Sequence, residues 1–255
     1  MSSPDRRGRR VSQRLARSAT AWTVLAVLPA VAQERAHAER PAARAASAFV
    51  ANTKVLRGLR QRDADAVFGA DLAWRGDTGW ALATGLAGPT WRGSYTSTEW
   101  TLAVSRSWRL EGEHGVQAGL ARYEYLGDAI ARDRGYTELS LAWGWRETWS
   151  ASVALMPEVR GYGMRWRNTR GLGIATELGW RTRLVGATTL ELSLGHVDLK
   201  RVQGRSWAWG QVLLSGDAGP LRWHAGWVGS DAVSRGAAGA QMGGGHWLTT
   251  LSWTR

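Results

Sequence analysis

Tyr136-Thr137-Glu138-Leu139-Ser140-Leu141-Ala142-Trp143-Gly144-Trp145, a three-residue link, and then Trp149-Ser150-Ala151-Ser152-Val153-Ala154-Leu155-Met156 is the stretch that decides the fold. Leu139, Leu141, Trp143 and Trp145 alternate with Glu138, Ser140, Ala142 and Gly144, and Trp149, Ala151, Val153 and Leu155 alternate with Ser150, Ser152, Ala154 and Met156. A period of two places successive side chains on opposite faces of a β-strand. A link this short joins antiparallel neighbours, because a parallel crossover needs a dozen residues or so.

The same alternation runs outward from this hairpin in both directions. Phe68, Ala70, Leu72 and Trp74 form one apolar row, and Thr98, Trp100, Leu102 and Val104 form another. Leu190, Leu192 and Leu194, then Leu221, Trp223, Ala225 and Trp227, and finally Trp247, Leu251 and Trp253 continue it. The pattern predicts about twelve strands, near 50–59, 66–74, 80–88, 97–105, 115–125, 136–145, 149–157, 171–180, 188–198, 206–214, 221–228 and 245–253. Strands of about 9–11 residues suffice to cross a bilayer. Tight connections (75–79, 106–114, 146–148, 181–187, 215–220) alternate with longer ones (89–96, 126–135, 158–170, 199–205, 229–244). Short periplasmic turns and long outer loops have this rhythm. The link 60–65, which belongs on the outer side, is short for it.

Tryptophan usage points the same way, with 17 tryptophans against 2 phenylalanines. Trp74, Trp80, Trp143, Trp145, Trp149, Trp180 and Trp253 stand where strands meet the tight turns or the C-terminus, all on the apolar parity. That placement predicts an aromatic girdle at a membrane interface, where an indole keeps its ring in lipid and its N–H hydrated. A soluble β-sandwich or carbohydrate-binding module would also alternate. The repeated one-sided aromatics, an export signal and the lack of cysteine favour a barrel.

The export signal occupies the N-terminus. Arg6, Arg7, Arg9, Arg10, Arg14 and Arg17 precede the 14-residue apolar run Ala19–Ala32, with small-x-small sites ending at Ala32 and Ala38. This is the layout of a secretory signal peptide. The expected organisation is a signal peptide over 1–38, a linker over 39–47 and a barrel over 48–255. The formal charge is +12, and residues 1–38 hold seven arginines and two acids, so cleavage leaves +7. Much of the basicity belongs to the leader, and a nucleic-acid partner is not expected. The absence of cysteine excludes disulfides, thiolate metal sites and a cysteine nucleophile. No cofactor or metal motif is present. The mature histidines His114, His196, His224 and His246 sit in no serine or acid motif, so an enzyme is not expected, a lipid-modifying barrel enzyme included.

On the strand parity the interior receives Gly69, Ala73, Ala81, Ala83, Gly85, Ala103, Gly119, Ala121, Ser140, Ser150, Ser152, Gly173, Ala175, Gly195 and Gly210, nearly all small. About 8 strands leave a barrel filled by its side chains, and about 16–18 leave an open channel. Twelve strands with small inward residues predict a narrow path for small hydrophilic solutes. The charged residues expected to line it are Arg57, Asp71, Glu99, Glu138, Glu177, Glu191 and Arg222, which would set the field of a constriction or form internal ion pairs. A basic cluster is expected on the outer loops at Arg160, Arg165, Arg167, Arg170, Lys200, Arg201 and Arg205, suited to steering anionic solutes or gripping lipopolysaccharide phosphates. Acids outnumber arginines inside while the loops are basic, so the two features pull selectivity in opposite directions.

The run Asn52-Thr53-Lys54-Val55-Leu56-Arg57-Gly58-Leu59-Arg60-Gln61 resembles the first-strand motif of the Gcw_chp family of TorF-type porins. Gly79-Trp80 and the hairpin quoted above are similar to that family's third strand and middle hairpin. Lys54 and Leu56 stand where the family has aromatics, and Trp253-Thr254-Arg255 stands where a terminal phenylalanine is usual. The resemblance implies an outer-membrane location, insertion by the barrel-assembly machinery and contact with outer-membrane lipid. The leading expectation is thus an all-β, up-and-down transmembrane barrel passing solutes by diffusion. The alternative is a closed barrel serving as a structural or surface protein.

Overall fold

The computed structural model describes residues 43–255 except 58, 61–65, 90–97, 128–134, 161–168 and 233–242. The expected signal peptide lies outside the described residues. Twelve strands close into one antiparallel barrel: β1 (Ala43–Ala51), β4 (Val67–Arg75), β5 (Trp80–Pro89), β6 (Thr98–Arg109), β7 (His114–Leu126), β8 (Tyr136–Trp145), β9 (Trp149–Arg160), β10 (Arg170–Arg183), β11 (Thr189–Leu199), β12 (Arg205–Ala218), β13 (Leu221–Ser230) and β14 (Gly244–Thr254). Each strand pairs with its sequence neighbours in the wall. The cylinder is sealed by β1 against β14, with Ser47 opposite Thr254 and Ala51 opposite Thr250. Closure leaves no unpaired sheet edge.

The twelve-strand barrel matches the alternation, but the first strand is displaced. It spans 43–51, so Ala43–Ser47, expected to be linker, are wall. The Arg57 motif follows that strand instead of forming it. It makes a miniature hairpin, β2 (Val55–Leu56) with β3 (Leu59–Arg60), away from the barrel sheet. The only helix among the described residues is α1 (Lys200–Gln203), which closes the β11–β12 connection.

The outward face carries large apolar side chains in the open: Leu72, Leu82, Leu86, Leu102, Leu139, Leu141, Leu178 and Leu194 lie in mid-wall. A contiguous exposed apolar band encircling a closed barrel needs an apolar solvent. Trp74, Trp80, Trp108, Trp149 and Trp253 are exposed at the tight-turn end, while Phe68, Trp227 and Trp247 are exposed towards the long-loop end. Arg106 lies over both Trp80 and Trp108 at 5.4 Å, and Arg146 lies over Trp145 at 4.9 Å, so cations edge the aromatic belt. The inward face is the small and polar set, in which Ser47, Thr101, Ser105, Gln117, Ser150, Ser193, Thr250 and Ser252 are buried.

Two local departures shape the lumen. At Pro157 and Glu158 the β9–β10 ladder slips, with Met156 opposite Gly173 but Val159 opposite Gly171. Proline has no N–H to give the ladder, so a bulge belongs there. The extra residue turns both Met156 and Val159 into the interior, where both are buried. In β12 the parity is opposite to the one that placed Gly210 inside. Trp207 and Trp209 are the buried, inward residues, and a Cβ on Gly210 would meet the lipid-facing Leu194. The bulk of two indoles therefore occupies one side of the lumen.

Candidate functional site in the lumen

The hairpin that follows β1 defines the site. The chain leaves the wall at Asn52, whose amide donates to the Trp247 carbonyl at 2.9 Å and whose side-chain oxygen accepts from the Thr249 N–H at 2.8 Å. From there it crosses the lumen. Lys54 Nζ lies 2.6 Å from Glu99 on β6, and Arg57 donates to Glu138 on β8 at 2.8 Å. Arg57 also reaches Met156 Sδ on β9 at 3.5 Å, and its carbonyl accepts from Trp207 Nε1 on β12 at 2.9 Å. One short segment is thus tied to β14, β6, β8, β9 and β12. Arg57 adopts a left-handed φ of 49°, unusual for a residue with a Cβ. That conformation sits at the turn where the segment reaches furthest across.

The two carboxylates that receive the hairpin are among the least exposed acids of the chain, Glu99 at 5% and Glu138 at 4%. Neither could be left alone there, because a buried charge without a partner costs several kcal/mol. Lys54 and Arg57 satisfy them. Beside these pairs an apolar cluster fills the long-loop half of the lumen: the stacked rings of Tyr123 and Tyr136, 4.7 Å apart, with Met156, Val159, Val197, Leu199, Val202, Trp207 and Trp209. Val202 of α1 is fully buried in it. The tight-turn half keeps the small side chains and remains polar.

The inward candidates divide accordingly. Arg57, Glu99 and Glu138 come together where the hairpin crosses the lumen, although Arg57 arrives on the hairpin and not on a wall strand. Asp71 faces in from β4, with the Ser47 hydroxyl 3.4 Å away. Glu191 faces in opposite Arg181 in the β10–β11 register and accepts from Gln211 at 3.4 Å. Glu177 sits two inward positions further up β10 from Arg181, in the wall of a cavity below Arg57. Arg222 lies at the tight-turn mouth and is bound to Asp217 by two bonds of 2.5 and 2.9 Å, an ion pair apart from those of the hairpin.

Of the basic loop residues, Arg165 and Arg167 lie outside the described residues. Arg160 and Arg170 are opposite each other at the ends of β9 and β10, Lys200 and Arg201 lie on α1, and Arg205 donates to the Gln203 side chain at 3.0 and 3.2 Å. Asn52, Lys54, Trp207 and Trp209 also belong to the site, and the strand parity alone does not single them out. Lys54 carries a usable signal, being one of two lysines in an arginine-rich chain. No cluster of three metal-ligating side chains occurs among the described residues.

Gly195 marks a close approach within this site. It stands between Glu177 and Trp209 in the strand register, and a Cβ there would collide with the indole of Trp209. Gly195→Ala is expected to push the ring off the wall into the lumen, lowering both stability by about 1–3 kcal/mol and any ion current. Urea titration in micelles and planar-bilayer recording check the two effects.

No family model and no curated protein matches the sequence. Solved structures do match the fold. A NanC porin superposes with a TM-score of 0.56 at 7% identity, covering 83% of this chain and 99% of that one. An outer membrane channel from Pseudomonas putida F1 gives 0.53 at 13% identity, covering 87% and 97%. A KdgM porin in complex with disordered oligogalacturonate gives 0.51 at 9% identity, covering 83% and 98%. At such identities the likeness is one of architecture: the chain has the fold of outer-membrane porin-like barrels.

Proposed function

We propose, from that porin-like architecture, that the protein is an outer-membrane channel for passive diffusion of small hydrophilic solutes, with the hairpin around Arg57 as its constriction. The observation that carries this reading is the pair of ion bridges, Lys54–Glu99 and Arg57–Glu138, set across a lumen whose tight-turn half is walled by small and polar residues. Charged groups held in a narrow section are what filter ions and polar solutes in pores. The small inward side chains below the hairpin leave room for water up to that section.

Insertion places the Trp74–Trp149–Trp253 girdle on the periplasmic side and the α1 loop outside. Arg160, Arg170, Lys200 and Arg201 are then positioned to hold lipopolysaccharide phosphates through charge-assisted bonds.

Purified, refolded protein in a planar bilayer tests the proposal: discrete current steps are expected. Glu99→Arg combined with Lys54→Ser, so that two cations do not face each other at a buried site, is expected to shift the reversal potential towards anion preference. An unchanged reversal potential would remove Glu99 from the conducting path. A closed structural barrel is the second reading, favoured by the apolar cluster around Val202, and it predicts a silent bilayer.

A further inference from the structure

Below the hairpin, Arg57, Glu138, Ser140, Ser152, Glu177 and Trp209 line a common cavity whose remaining wall includes Ala142, Ala154 and Ala175. Its floor is a single register row across four strands: Trp209 opposite Gly195, Gly195 opposite Glu177, and Glu177 opposite Ser152. Because Gly195 has no side chain, the indole of Trp209 lies across β11, leaning towards the Glu177 position. Its Nε1–H is buried and has no hydrogen-bond partner, although Glu177 is only one strand beyond. Buried indole N–H groups ordinarily find an acceptor, so an unmet one beside a cavity is a recognition feature.

The charges in the cavity are unevenly matched. Glu138 is taken by Arg57, whereas Glu177 has no ion pair among the described residues, with the Ser193 hydroxyl beside it and the Glu191 and Arg57 charges within electrostatic reach. Arg57 in turn uses two of its side-chain nitrogens on Glu138 and Met156, and a guanidinium carries five N–H donors. The cavity therefore offers one carboxylate for a cation and, from Arg57 above it and Trp209 beside it, unspent N–H donors for an anion or carbonyl. The alanines give a small apolar surface between them.

We infer that this cavity is a subsite for small zwitterions of the amino-acid class, with the solute's ammonium on Glu177 and its carboxylate on Arg57 and the Trp209 N–H. This names a solute class for the channel and rests on the lumen being a solute path. Its binding step, however, can be tested without conduction.

Saturation-transfer NMR on the refolded protein in micelles is the test, with L-serine against erythritol, hydroxylated solutes of similar size of which only the first carries opposite charges. Saturable transfer to L-serine and little to erythritol is expected. Glu177→Gln should weaken L-serine binding about ten-fold or more, and Trp209→Phe, which keeps a ring on Gly195, about five-fold, as for loss of a charged and a neutral hydrogen bond. Heat-modifiable migration on gels establishes that both variants form the barrel. No transfer to L-serine, equal transfer to erythritol, or binding indifferent to both substitutions would overturn the inference. L-serine binding in a protein that gives no current steps would keep the subsite and reject the channel.

Discussion

Removing the hairpin's ion pairs in matched sets, Lys54→Ser with Glu99→Ser and Arg57→Ser with Glu138→Ser, is expected to raise single-channel conductance several-fold. The matched design matters. Deleting Arg57 alone would strand Glu138 at 4% exposure, and breaking one half of a buried pair costs about 3–5 kcal/mol, enough to confuse unfolding with opening. Removing both members leaves hydroxyls that water can reach. Among the described residues, the hydrogen bonds left to hold the hairpin would be those of Asn52 to β14 at its root and the one from Trp207 Nε1. A two-residue ladder cannot hold itself in the lumen, since an isolated hairpin is marginal even when longer. The segment should leave the constriction for much of the time. Planar-bilayer recording of the quadruple variant beside the wild type reads the result. Equal conductance would mean that ions do not pass the hairpin.

What the alternation revealed and what it hid follow from one fact: a period of two says that a strand has two faces, not where the strand is. Leu139, Leu141 and Leu155 mark their strands plainly because lipid demands bulk on one side and the narrow lumen demands small residues on the other. The segment after β1 defeats the rule. Phe49, Ala51, Thr53 and Val55 are all buried in strict alternation, so the pattern runs unbroken past Asn52, where the chain leaves the wall. The start of β1 is hidden for the opposite reason, because Ala43-Arg44-Ala45-Ala46 carries no large apolar residue to signal a strand.

The two indoles of β12 mislead in a third way. Trp207 and Trp209 have the size of girdle residues but face inward, made possible by Gly195 opposite one and by the Arg57 carbonyl beside the other. Both conditions depend on residues distant in sequence, 150 positions away for Trp207 and Arg57. The acids of the site were legible as inward charges. Arg57 was legible in the same way, but Lys54 and the pairings themselves were not, because pairing across a lumen is set by the hairpin's path and not by strand register.

The outward face allows the sharpest energetic test of the fold's environment. Leu141 lies in the middle of β8, 51% exposed, and points away from the lumen. Leu141→Arg is expected to destabilise the protein by about 2–4 kcal/mol in lipid vesicles, the cost of placing a guanidinium near the bilayer midplane. Ala83→Arg, on the inward face of β5 among small neighbours Ala73 and Ala103, should cost far less, since its charge can remain in water within the lumen. Denaturant titration of both variants in the same vesicles measures the difference. In water the order would be reversed: an arginine at half-exposed Leu141 would be harmless, and one inside a packed barrel would not. A Leu141→Arg variant as stable as the wild type would therefore show that this face does not meet lipid. The girdle, the closed wall and the lumen would then need another account.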